Sequence, residues 1–218
     1  VAGYILYSLD WDKFAALVER PTAEQLRVLA DLVADAIENP IWDFDDDDDP
    51  VLAWPDDPAG LPAVVARRLA RTDWYGDLSD GGKTAWEGAI FQAGQNGDEH
   101  GLDLAFRVES DGVYWDVIDF ARRELRVPPN KVTAVALSAF GTRPFRHPTA
   151  GRSGDDGWAP MHSMHPPDEV RRMADELRSL AAAAQRQGEE VRGDFAELLA
   201  AVERVAADGR LLFVQVDT

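Results

Sequence analysis

The sequence predicts an α+β fold, a single domain over residues 1–218 in which a small sheet, with strands from both chain ends, is packed by several helices. Three observations predict it. Tyr4 to Leu9 and Leu211 to Val216 are short apolar runs bounded by turn residues, as strands are. Between them, most segments repeat apolar residues at three- and four-residue spacing, as amphipathic helices do. No internal repeat and no clean linker divides the 218 residues, a length that one large domain can hold.

The elements follow in order. Gly3 and Asp10 bound the first strand. Trp11 to Glu19 is a short helix that ends near Pro21, whose ring cannot continue it. Thr22 followed by Gln25 is a capping box, and the next helix places Leu26, Leu29, Val33 and Ile37 on one face. It stops at Asn39-Pro40. An acidic loop at 40–60 follows, punctuated by Pro40, Pro50, Pro55 and Pro58. Leu61 to Arg71 is a helix with Val64, Val65 and Leu69 inward. Ser79 to Gln92 is another, with Trp86, Ile90 and Ala93 on one side.

Leu104 to Glu109 reads as a strand and Asp111-Gly112 as a turn. Tyr114, Val117, Ile118, Ala121 and Leu125 then sit at helical spacing up to Pro128-Pro129. Val132 to Phe140 has β-branched residues that favour a strand, while Asn130 and Gly141 have the character of helix caps. The caps tilt the reading towards helix. Residues 141–167 form a long His/Pro-rich loop. Two strong helices close the chain before its last strand: Pro167 to Ala184, with Val170, Met173, Leu177 and Leu180 inward, and Glu189 to Ala207, with Phe195, Leu198, Val202 and Val205 inward. Gly209 ends the second.

Charge is the strongest functional signal. The formal net charge is −18. Residues 1–60 hold fifteen carboxylates against Lys13, Arg20 and Arg27, so −12 of that total lies there. The run Trp42 to Pro58 carries eight carboxylates between Asp43 and Asp57 with no Lys or Arg among them. Such a run needs water, a cation or a basic partner to screen it. A field of this sign repels nucleic acid and anionic membranes and attracts basic proteins. Trp42 and Trp54 frame the run and supply aromatic anchors. Trp42, Asp43, Asp45, Asp46, Asp47, Asp48, Asp49 and Trp54 are therefore the expected partner-binding residues.

The absence of cysteine excludes a disulfide framework and thiolate metal sites, and fits a reducing cytosol. No signal peptide or membrane-length apolar run is present, so a cytoplasmic protein is expected. Several motifs fail on spacing. Asp80-Gly81-Gly82-Lys83-Thr84 has the end of a phosphate-binding loop, but the glycine required five positions before Gly82 is Asp77. Asp45, Asp47 and Asp49 have the spacing of a calcium loop, yet its sixth position is Pro50 and its twelfth Asp56. A weak divalent-cation site remains open there. No Gly-x-Ser-x-Gly elbow marks a serine hydrolase. His162 and His165 have metal-compatible spacing, and His147 lies in the same loop. These three are the candidate metal ligands. Arg143, Arg146 and Arg152 lie close to His147 and oppose a dication. They suit pairing with the acidic loop, or binding of an anion.

His165-Pro166-Pro167-Asp168-Glu169-Val170, the helix carrying Met173 and Leu177, the helix with Phe195 and Leu198-Leu199, and the strand Leu211-Leu212-Phe213-Val214 resemble the C-terminal part of the bacterial YfbM-like proteins. The resemblance covers residues 160–218 and implies a soluble bacterial α+β protein, with no catalytic residue. The expected function is a protein-binding module for a basic partner, of immunity-like or nucleic-acid-mimic type. The alternative is a metal-dependent hydrolase using His147, His162 and His165.

Overall fold

The computed structural model describes residues 3–39, 58–71, 74, 78, 80–97, 99–126 and 162–217. The fold is α+β. Its elements are β1 (Gly3–Leu9), α1 (Trp11–Glu19), α2 (Ala23–Glu38), a 3-10 turn (Pro58–Gly60), α3 (Leu61–Leu69), α4 (Asp80–Gln95), β2 (Arg107–Gly112), α5 (Trp115–Glu124), β3 (His162–His165), α6 (Pro167–Ala184), α7 (Glu189–Ala207) and β4 (Leu211–Asp217). The chain forms two compact units. One draws on residues 1–11, 107–145 and 151–218, the other on 12–106 and 146–150.

The first unit contains an antiparallel sheet of order β2-β1-β4-β3. The first and last strands of the chain are its central pair. Tyr4, Leu6 and Ser8 stand opposite Val216, Val214 and Leu212, which puts them on one face. That face packs against α5, α6 and α7 in a core of Tyr4, Leu6, Val117, Phe120, Met173, Leu177, Phe195, Val202, Leu212 and Val214, among others. The apolar stripes of the three helices are those the sequence predicts, except that α5 also buries Phe120 and leaves Leu125 partly exposed. Burying a Leu, Phe or Met side chain contributes roughly 1.5–3 kcal/mol, which is why periodicity is a sound guide to these helices.

The second unit is helical. α2 packs against α3 and α4, burying Leu29, Val33, Val65, Leu69, Trp86 and Ala89. Trp74 meets Trp86 edge-on, with centroids 5.6 Å apart, and its carbonyl accepts a 3.0 Å hydrogen bond from the buried Arg68. The Thr22–Gln25 capping box forms in both directions, at 3.1 and 2.9 Å.

Three expectations change. The strand expected over 104–109 runs from Arg107 to Gly112. Asp103 and Ala105 adopt positive φ of 44° and 49°, which interrupts any extended run before Arg107. The expected turn at Asp111-Gly112 is strand, paired with Ile5 and Tyr4, because a bulge shifts the register between Leu6 and Tyr7. Gly112 is needed there because a Cβ would lie 2.7 Å from Cζ of Tyr114. The long loop expected over 141–167 ends in a strand: His162–His165 pairs with Leu212 to Gln215 of β4. Val132 to Phe140 lies outside the described residues.

No described helix is long and apolar enough to cross a membrane.

Candidate functional site

Three polar groups are built into the first unit, on or beside the sheet face that carries the helices. The first joins β3 to the opening turn of α6. His165 is fully buried, with its Nδ1 3.3 Å from Oε2 of Glu169, itself buried. Where the Glu169 carboxylate is ionised it only accepts, and Nδ1–H is then the donor. Arg172 reaches the other oxygen of Glu169 at 3.4 Å. A carboxylate on Nδ1 is the arrangement that fixes an imidazole for metal or proton chemistry at Nε2. Here it holds a ring inside the core.

The second group closes one end of the sheet. The fully buried Ser8 donates to Oε1 of Glu109 at 2.6 Å and accepts from Nε of Arg210 at 2.8 Å. Arg210 also donates to the Ser8 carbonyl at 3.1 Å. Burial and then the nearby Arg107 lower the Arg210 pKa, opposed by Asp10, Glu109 and Asp208. Arg204 of α7 donates to the Glu109 carbonyl at 2.7 Å, and Arg107 pairs with Asp208 at 3.1 Å. Cations and carboxylates alternate through this network, so it cross-links α7, β4 and β1 to the bulge in β2.

The third group is acidic. Ser110 donates to Oε1 of Glu197 at 2.7 Å and shares a hydrogen bond with the Tyr114 hydroxyl. Burial pushes the Tyr114 hydroxyl up to about 12. The Ser110 bond opposes this, while Glu197 and Asp194 add to it. The Asp194 pKa is raised too, first by burial and then by Glu190, Glu197 and Asp116. Glu190, Asp194 and Glu197 follow i, i+4, i+7 spacing on α7. That stripe is legible in the sequence as helical spacing of carboxylates, but it carries less charge than the run at 43–57.

The residues expected from sequence fare unevenly. Trp42, Asp43, Asp45, Asp46, Asp47, Asp48, Asp49, Trp54 and His147 lie outside the described residues. His162 and His165 are the first and last residues of β3. Among the described residues no group of three or more His, Asp or Glu side chains converges as a metal site. Ser8, Glu109 and Arg210 had no sequence signal, since they meet across separations of 101 and 202 residues. No protein-family model matches the chain, and no match was found among the curated proteins or the solved structures.

Proposed function

We propose that the chain is a binding module for a basic partner protein, of immunity-like or nucleic-acid-mimic type. One observation carries the reading: negative charge that the chain does not neutralise internally. The net charge is −18, with eight carboxylates in the Trp42 to Pro58 run. The raised Asp194 pKa supports it from the described surface, since burial raises it first and three neighbouring carboxylates add to the shift. In this reading the acidic run speeds encounter, and Trp42 and Trp54 supply apolar anchors. The buried His165–Glu169 pair does not favour the hydrolase alternative, because its ring has no exposed surface.

The test is a titration of a labelled oligolysine peptide against the full chain at low and high salt. Affinity should fall steeply with salt, because exposed charges are screened beyond about 8–10 Å near physiological ionic strength. Trp42→Ala should weaken a true basic protein partner through its off-rate. A chain that ignores basic peptides at low salt, or binds them independently of salt, is not this kind of module.

A further inference from the structure

We infer that the outer edge of β2 receives an extended segment of the basic partner, added as a further strand whose residues alternate between apolar and basic. The inference rests on the basic-partner reading and adds where the partner binds and in what conformation.

In the order β2-β1-β4-β3, β2 pairs only with β1 among the described residues. It also has unusual exposure. Val108 (61%) and Val113 (45%) are the large hydrophobic residues left exposed among the described residues, one within β2 and one just after it. Val108 stands opposite Tyr7 and Asp111 opposite Ile5, so both belong to the sheet face turned away from α5, α6 and α7.

The other side of the same strand is acidic. Ser110, opposite Leu6, holds Glu197 of α7, and Asp194 and Glu190 follow on that helix. Asp116 of α5 adds to the field felt by Asp194. β2 thus has Val108 and Asp111 on one face, with Val113 just beyond the strand, and the α7 carboxylates beside the other.

A strand added to this edge sends successive side chains to opposite faces. Residues of one parity meet Asp111 and approach Val108 and Val113 at the two ends of the paired stretch, and those of the other parity approach the α7 carboxylates. Main-chain hydrogen bonds would supply affinity, and the alternation would supply specificity. The bulge limits the register. Arg204 already occupies the Glu109 carbonyl, so pairing runs along Ser110 to Gly112. A second copy of the chain suits the edge poorly, since two molecules of charge −18 repel.

The test uses the full chain, isotopically labelled, and three peptides: an alternating lysine–valine hexapeptide, the same peptide N-methylated at every second residue, and oligolysine. The lysine–valine peptide should slow amide exchange in β2. The N-methylated form should bind roughly tenfold more weakly, the equivalent of one or two net hydrogen bonds. Val108→Asp and the pair Glu190→Gln with Asp194→Asn should each weaken binding several-fold, the second with a shallower salt dependence. If the two lysine–valine peptides bind alike, or protection appears elsewhere, strand addition is wrong and the basic-partner reading stands. If β2 is protected without peptide as the mass doubles, a second copy takes the edge and the inference falls. If neither lysine–valine peptide nor oligolysine binds, both the inference and the reading fall.

Discussion

Tyr4 and Tyr114 lie 6.2 Å apart and are both buried, yet their hydroxyls have opposite circumstances. The Tyr114 hydroxyl is hydrogen-bonded to Ser110, and Ser110 in turn is held by Glu197. The Tyr4 hydroxyl is sealed from water and makes no hydrogen bond among the described residues. A buried polar group without a partner costs about 1–3 kcal/mol, so Tyr4→Phe should raise stability by about 1 kcal/mol. Tyr114→Phe should lower it by about the same amount, through the lost hydrogen bond. Urea midpoints of the two variants against the parent decide this. A loss of stability in Tyr4→Phe would mean that its hydroxyl has a partner. The sequence showed that both tyrosines are apolar-facing. It could not show which hydroxyl is satisfied, because Ser110 and Glu197 reach Tyr114 from two different elements.

At the scale of elements, signals between near neighbours are legible in the sequence and those between remote segments are not. The Thr22–Gln25 capping box involves residues three apart, so its chemistry is written in one short segment. Thr22→Ala should cost about 1 kcal/mol, and Gln25→Ala in the same background should add little, since the two bonds form one reciprocal unit. Thermal unfolding of the two single variants and the double variant measures that coupling. An additive double variant would break the argument. β2 is the opposite case. Its start was placed at Leu104, but the positive φ at Asp103 and Ala105 delays it to Arg107. Its bulge is held by Ser8 and Arg204, which arrive from far along the chain. β3 was hidden because four residues with two histidines have no period to read. It exists as a strand through its pairing with β4.

Across the whole molecule, the buried tyrosines give a pH dependence whose sign can be worked out. Burial raises both pKa values above the ordinary 10.0, with Asp119 adding to the effect at Tyr4. A folded pKa above the unfolded one means that the unfolded chain loses its proton first. The stabilising contribution is therefore complete below pH 10 and is lost as pH rises from 10 through the folded value, about 12 for Tyr114. Urea midpoints should fall above pH 10, and phenolate absorbance should appear together with unfolding. A midpoint that stays flat between pH 9 and 11.5 would show that neither ring is protected. The sequence by itself determined the α+β class, the amphipathic helices and the strands at the two ends, because helix and strand periods are properties of neighbouring residues. It also determined the acidic character, because charge adds up without regard to folding. Only the tertiary structure decided that the end strands are the central pair, that Ser8, Glu109 and Arg210 form one network, and that His165 lies in the core against Glu169. Each of those facts depends on which distant segments are brought together, and no local pattern encodes that.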